Sequence, residues 1–386
     1  MITELTINNF GLFSDEGTAI PLSGLTYFVG PNNSGKSTAL AGYFALATLS
    51  RRGGVLLPSL KNQSSVTVSS GPQFLGPFFR SVYENDPEGT LLGTLLKCQD
   101  GKDAPNMKER NVPIQFKVKG LFDGGEASLS LTLSGYPSFS NYSLTVEGTG
   151  QEHLNRLYST LANTWALPSN RAFIIPYSTV GIRTPTPMNF GMEGANVIQF
   201  LLERWTGRDQ KWTEVEKWLK EIDPTISLLK SPLRGSRASV ETGIALDGRE
   251  YDINMYSSGS GIQRALQIIS AVIFSDPGAV IMIEEPEMNL HPSTQEVLFD
   301  LFNEYVNEGK RQIIITTHSW DFMLNAYSDI GPTKRKRKGK NHYTLNKDSF
   351  RILTFYRGKS GITVGNYDLT TKKFTEFRND FKRLWG

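Results

Sequence analysis

Cysteine is almost absent: Cys98 is the single one in 386 residues. That excludes a disulfide framework and a cysteine-ligated metal cluster, and a reducing cytoplasm is the expected setting. Histidine is scarce too. His153, His291, His318 and His342 are the only four, too few for a histidine-rich metal centre. No apolar run approaches the ~18 residues of a membrane-spanning helix. Met1–Phe10 lacks the charged start and long apolar core of a secretory signal, so no membrane association is expected. There is no internal repeat, and no sustained heptad pattern that would build a coiled-coil rod. Neither sign of charge dominates, the net charge being +3. What remains is a globular composition, 39% hydrophobic and 20% charged, long enough for two or three domains at ~150 residues each.

What is present begins with Gly30-Pro31-Asn32-Asn33-Ser34-Gly35-Lys36-Ser37, which fits the phosphate-binding pattern G-x-x-x-x-G-K-[ST]. The apolar run Leu25–Val29 precedes it and reads as a buried strand. The run after it, Thr38–Leu49, reads as a helix ending near Ser50. Strand, glycine-rich turn and helix are the context the pattern needs. Loop N–H groups and the positive helix end would cradle phosphate oxygens. Gly30 and Gly35 let the backbone curl, Lys36 would reach the outer phosphates, and the Ser37 hydroxyl would ligate Mg²⁺.

A second set of residues lies far along the chain. Ala279–Ile283 is an apolar run ending in Glu284-Glu285-Pro286-Glu287, the form of a buried parallel strand with acids at its C-terminal end. Glu284 is placed to hold the metal, and Glu285 to orient and deprotonate an attacking water. Two adjacent acids in a strand face opposite sides, so they cannot share one task. Arg311–Thr317 repeats the form and ends at His318, which would sense the γ-phosphate or position the water. Between these sets lies Tyr256-Ser-Ser-Gly-Ser-Gly-Ile-Gln-Arg264, small and glycine-rich, with a helix following over Ala265–Phe274. That is another helix start suited to an anion. One γ-phosphate cannot readily use two such starts from one subunit, so this loop is expected to act across an interface between two copies.

The remaining chain reads as five pieces: 1–54, 55–170, 171–254, 255–330 and 331–386. Ile2–Asn8 and Thr18–Pro21 form a small sheet. The second piece is β-rich, with strands near Ser65–Ser70, Val112–Lys119, Ala127–Leu133 and Tyr142–Glu147 and a turn at Asp123-Gly-Gly125. An apolar patch of Phe74, Phe78, Phe79 and Tyr83 falls on a helix near 74–84. Glu152–Thr164 is predicted helical and Arg171–Pro176 a strand. Residues 193–221 are predicted helical, with Trp205, Trp212 and Trp218 as core. Strands follow at Ile226–Leu229, Ala238–Leu246 and Glu250–Ile253, and again at Ser349–Tyr356 and Gly361–Leu369. The run Lys334-Arg335-Lys336-Arg337-Lys338-Gly-Lys340 is either a solvated loop or a contact for nucleic acid or an acidic partner.

Taken in order, the phosphate loop, the Ser-x-Gly signature, the strand ending in Glu-Glu, Leu290-His291-Pro292 and the strand before His318 resemble ABC-type ATPase heads. The resemblance is to the SMC-like branch, and within it to the OLD (overcoming lysogenization defect) family and its stand-alone relatives. It covers residues 1–50 and 255–325. It implies an α/β, ABC-type (SMC-like) P-loop ATPase head, with a β-rich and helical insertion between the two halves of the nucleotide site. By that resemblance Gly30, Pro31, Asn32, Asn33, Ser34, Gly35, Lys36, Ser37 and Thr38 bind the phosphates of ATP and Mg²⁺. Ser258, Gly259 and Gly261 complete the site of the opposite subunit in a homodimer. Glu284 is the metal carboxylate and Glu285 the catalytic one. Lys36 and the switch histidine His318 join the catalytic set, and Asn289–His291 line the dimer axis. The family's coupling glutamine is Gln63, Gln73 or Gln115. The residues after His318 lack the spaced acidic set of a Toprim nuclease, so no built-in nuclease is expected. The resemblance implies an ATPase controlling a separately encoded effector, a nuclease or toxin, in bacterial anti-phage defence. Two alternatives stand beside it. One is an ATP-gated DNA-binding scaffold or repair clamp with slow hydrolysis. The other is a transporter nucleotide-binding subunit, against which stands Glu284 where those carry Asp.

Overall fold

The computed structural model describes residues 1–10, 13–14, 16–52, 65–69, 114–134, 141–167, 169, 178–179, 197–309, 311–331, 345–358 and 361–385. In chain order its strands are β1 (Ile2–Asn8), β2 (Thr18–Pro21), β3 (Leu25–Val29), β4 (Ser65–Ser69), β5 (Ile114–Phe122), β6 (Gly125–Ser134), β7 (Asn141–Gly148), β8 (Thr164–Leu167) and β9 (Ser178–Thr179). They continue as β10 (Ile226–Lys230), β11 (Leu233–Arg234), β12 (Arg237–Ala238), β13 (Glu241–Leu246), β14 (Arg249–Asn254), β15 (Ala279–Glu284), β16 (Arg311–Thr317), β17 (Phe350–Gly358) and β18 (Gly361–Asn366). The helices are α1 (Lys36–Arg52), α2 (Gln151–Ala162), α3 (Val197–Thr206), α4 (Trp212–Ile222), α5 (Ser260–Phe274), α6 (Pro292–Asn307), α7 (Trp320–Ile330) and α8 (Phe374–Trp385). The aromatic patch at Phe74–Tyr83, the strand expected at Arg171–Pro176, Gln63, Gln73 and the cations of Lys334–Lys340 lie outside the described residues.

The chain divides into two compact units. The first comprises Met1–Thr164, Phe350–Asp368 and Asp380–Gly386; the second comprises Trp165–Ser349 and Leu369–Asn379. In the first unit the β-rich stretch shares a sheet with the opening strands, in the order β2-β1-β5-β6-β7-β4. Its neighbours all pair antiparallel. Burial alternates along β5, so that Ile114, Phe116 and Val118 face the core while Gln115, Lys117 and Lys119 do not. This is the period-2 pattern of a sheet with one covered face. Asp123 and Gly124, both at positive φ, form the two-residue turn from β5 to β6, the hairpin geometry that Asp-Gly favours. Helix α1 comes very close to this sheet. A Cβ on Gly42 would stand 2.9 Å from the Phe116 ring and 3.2 Å from Ile7. The first unit also contains the ladder β18-β17-β3, with β17 parallel to β3 and antiparallel to β18.

In the second unit β15 and β16 run parallel, from Ala279 opposite Arg311 to Glu284 opposite Thr316. Every residue of β16, and all of β15 before Glu284, is buried. The aliphatic segments Val280–Ile283 and Ile313–Ile315 suit strands covered on both faces. The unit also holds the small antiparallel sheet β10-β13-β14.

Two helix expectations change. The helix predicted over 152–164 ends at Ala162, with Asn163 as its C-cap, and Thr164–Leu167 is strand. The β-branched and aromatic side chains of Thr164 and Trp165 favour that outcome. The helical stretch predicted over 193–221 is two helices, broken at Gly207 and at Arg208, which takes φ +50. Trp212 and Trp218 are core as expected, the Trp212 indole N–H donating to the Leu229 carbonyl at 3.0 Å, whereas Trp205 is half-buried.

Candidate functional site

In the first unit the wholly buried β3 delivers the chain to Gly30. Gly30 has φ +145, and a Cβ there would run into the Phe355 carbonyl oxygen of β17. Gly35 has φ +94, and its missing Cβ leaves space that the Ile362 side chain of β18 fills. Asn33 also takes positive φ, +60. The loop is therefore built on three left-handed positions, two of which exclude any side chain. Lys36 is buried, and its ammonium donates to the carbonyls of Gly30 (2.7 Å) and Pro31 (2.8 Å). Pro31, Asn32, Asn33 and Ser37 are exposed and Thr38 is half-buried. The Ser34 hydroxyl is sealed from solvent and has no hydrogen-bond partner. No acid occupies the first turn of α1, so nothing offsets the positive helix end there. An orphaned buried hydroxyl, a cradle closed to any Cβ and an uncompensated helix start all fit a phosphate. The C-terminal strands that back this loop were expected as strands but with no role. Tandem glycines reveal that a close approach exists, not which segment makes it.

In the second unit β15 ends at Glu284, which is half-buried and accepts the Ser169 N–H through Oε2 at 3.2 Å. Glu285 departs from the strand geometry assumed above. It takes φ +45, a conformation that costs a non-glycine residue about 1–2 kcal/mol. Two acceptors hold it, because its N–H lies 2.9 Å from the Thr316 carbonyl and 3.2 Å from the Thr316 hydroxyl. The two acids are thus separated by a turn and not by strand alternation. His318 Nε2 stands 3.9 Å from Glu285 Oε1, and both side chains are about one-third exposed. Two further residues complete the cluster. Arg264, on α5, donates to the Glu284 carbonyl at 2.7 Å. Burial lowers its pKa to about 10, opposed by the charges of Glu284, Glu287 and Glu285. Glu287 accepts the His318 N–H at 2.6 Å. Its burial pushes the carboxyl up, against that hydrogen bond and the Thr317 hydroxyl, which pull it down.

The signature loop is held from behind. Asn254 accepts the Tyr256 N–H (2.9 Å), and the Gln263 amide donates to the carbonyls of Tyr256 (3.1 Å) and Ser258 (3.0 Å). Gly259 is the N-cap of α5, exposed, with no side-chain cap and no acid in the first helical turn. A Cβ on Gly261 would press on the Asn289 carbonyl, whereas one on Gly259 would meet nothing within 4 Å. The helix starts nearby are capped from within: His291 caps α6 and Ser319 caps α7. Gln295 links those two turns, donating to the Leu290 carbonyl at 3.2 Å and accepting from the Ser319 hydroxyl at 2.5 Å. Gln115 lies within β5, between Asn8 and Thr132.

Among the described residues no cluster of three or more His, Cys, Asp or Glu forms a ready metal cage. Mg²⁺ does not demand one, since it is held by one or two protein oxygens and the substrate phosphates. The exposed Ser37 hydroxyl and the half-buried Glu284 carboxylate are hard oxygen donors of that type. Among the described residues no helix is long and apolar enough to cross a membrane.

Comparison with known proteins gives the family and the fold. The family model described as an AAA ATPase domain (AAA_15) matches residues 1–65 and 184–323, just over half of the chain. An OLD nuclease from Thermus scotoductus is 24% identical over 369 residues, covering 87% of this chain and 62% of the nuclease. The chain therefore spans less than two thirds of that relative. Among solved structures, an SMC head bound to the C-terminal winged-helix domain of ScpA superposes with a TM-score of 0.56 at 12% identity, covering 95% of this chain and 98% of that one. An SMC head with an extended coiled coil, bound to the C-terminal domain of ScpA derived from Pyrococcus furiosus, gives 0.52 at 11% identity, covering 95% and 96%.

Proposed function

The chain belongs to the AAA ATPase domain family and has the fold of an SMC-type, ABC-type P-loop ATPase head, and from that premise we propose that it hydrolyses ATP. In this reading two copies close head to head on the nucleotide. Residues Gly30–Thr38 grip the phosphates, and Lys36 leaves its loop carbonyls for phosphate oxygens. Ser37 and Glu284 would hold Mg²⁺, which would offset phosphate charge there. Glu285 accepts the proton of the attacking water, with His318 orienting that water or sensing the γ-phosphate. Ser258, Gly259 and Gly261 present the open start of α5 to the nucleotide of the other copy.

The observation that carries the hydrolytic role is the position of Glu285. A glutamate is held at positive φ by two hydrogen bonds and points its carboxylate to within 3.9 Å of His318. Backbone strain of this kind is kept at functional sites.

The similarity to an OLD nuclease supports a reading in which the activity serves nucleic-acid defence. In this reading the ATPase controls a separately encoded nuclease or toxin acting against phage, and Lys334–Lys340 offers phosphate contacts to nucleic acid. Steady-state ATPase assays with Mg²⁺ test the core of the proposal. The wild type turns over, while Glu285→Gln falls by about 10²–10⁴-fold, retains ATP and dimerises on it in light scattering. Equal, slow turnover by both proteins with intact ATP-driven dimerisation would instead establish a scaffold that binds without working.

A further inference from the structure

The turn that carries His318 has an anchor outside the motifs. Glu287 Oε1 accepts the His318 backbone N–H at 2.6 Å, the short distance of a charge-assisted hydrogen bond. The other carboxylate oxygen, Oε2, is sealed from solvent and has no hydrogen-bond partner. Burying a carboxylate with one oxygen unsatisfied is unfavourable. The fold keeps one at the place where the His318 peptide leaves β16.

We propose that Glu287 is a positioning residue for His318: it fixes the peptide from which the imidazole projects and so sets the approach of that ring to Glu285. The inference rests on the hydrolytic reading of Glu285 and His318. Three features support it. Glu285 and Glu287 are separated only by Pro286, whose ring fixes φ. The segment is locked further by hydrogen bonds from the Met288 N–H to the Glu285 carbonyl (3.1 Å) and from the Leu290 N–H to the Glu287 carbonyl (2.9 Å). The acid and the anchor of the histidine therefore move as one body. Thirdly, the helix behind the turn has support of its own, while Glu287 also accepts from the Thr317 hydroxyl. The Ser319 N–H donates to the Thr317 hydroxyl at 3.0 Å, and the Ser319 hydroxyl is bound to Gln295 and caps α7. Loss of Glu287 frees the His318 peptide without dismantling the helix behind it.

The test compares Glu287→Ala with Glu287→Gln in the full chain. Glutamine keeps an acceptor for the His318 N–H; alanine does not. Misplacing a reacting group by an ångström costs on the order of 10²-fold. Glu287→Ala should therefore lower kcat by about 10–100-fold with the ATP Kd within about twofold, and Glu287→Gln should stay within about threefold of wild type. A second readout does not depend on turnover. With histidine labelled at Cε1, the protein has only four imidazole signals, for His153, His291, His318 and His342, and His318→Gln identifies the one of interest. That signal should shift or broaden in Glu287→Ala and hold its wild-type position in Glu287→Gln. Should alanine fail to fold, Glu287→Asp, one methylene short of the His318 N–H, takes its place with the same readouts. An unmoved His318 signal with wild-type kcat overturns the proposal. So does a glutamine variant as impaired as alanine. If the wild type hydrolyses nothing, the functional reading fails, and the His318 signal still decides whether Glu287 positions the ring.

Discussion

Arg264 and Glu284 meet through the backbone: the guanidinium of one donates to the carbonyl of the other at 2.7 Å. The first turns of the signature helix are thereby fastened to the last residue of the acid strand. Arg264 Nε is buried without a hydrogen-bond partner, and three glutamate charges act on the group. Replacing it by methionine keeps the apolar stem and removes the charge-assisted bond. Arg264→Met should lose about 2 kcal/mol in urea unfolding and reduce kcat more than ATP affinity, because the carbonyl it frees is that of the residue before Glu285.

Gly259 has φ −57 and ψ 144 and open space around its absent Cβ, so nothing in its own chain requires glycine. Aspartate is a favoured N-cap. Gly259→Asp should keep stability within about 0.5 kcal/mol of wild type, or raise it slightly. In the proposed dimer it should also abolish ATP-driven association, because the new charge would face phosphates of the other copy. Thermal melts and light scattering with ATP, in a Glu285→Gln background, separate the two effects. A variant that still dimerises on ATP removes the signature loop from the interface.

Tyr158, on α2, gives a pH signature. Its hydroxyl is buried without a hydrogen-bond partner, and burial pushes its pKa up to about 12. The unfolded chain ionises this group near pH 10. Between those values the unfolded state holds fewer protons, so stability falls as pH rises. The penalty for ionising the buried hydroxyl is absent below about pH 10 and grows to about 3 kcal/mol by about pH 12. Tyr158→Phe should be at least as stable at pH 7, having no orphaned hydroxyl to bury. It should also decline less than wild type between pH 10 and 12 in urea titrations.

The runs Leu25–Val29, Ala279–Ile283 and Arg311–Thr317 were legible as buried strands because short, largely apolar runs ending at glycine, acids or histidine admit few other structures. The glycine positions likewise announced the phosphate loop. What the linear pattern could not show was where the acids turn. Extended geometry predicts opposite faces for Glu284 and Glu285, and nothing local marks the left-handed residue that hydrogen bonds from Thr316 impose. Arg264 and Glu287 escaped notice for a related reason. Each acts on a backbone group of a residue distant in sequence, Glu284 and His318 respectively, and such contacts leave no periodicity. Gly207 and Arg208 split a helix that apolar spacing had run together, since the stripe continues in phase across the break.

The glycine-rich loop has its support at the other end of the chain. Ile362 fills the space beside Gly35, Phe355 closes on Gly30, and the Thr18 hydroxyl donates to the Ile362 carbonyl across a sequence separation of 344 residues. On the ribosome, the motif is therefore synthesised long before the strands that shape it. A nascent chain carries every motif residue yet holds no finished cradle until β17 and β18 emerge and dock. Completion of the cradle thereby becomes a late event of synthesis.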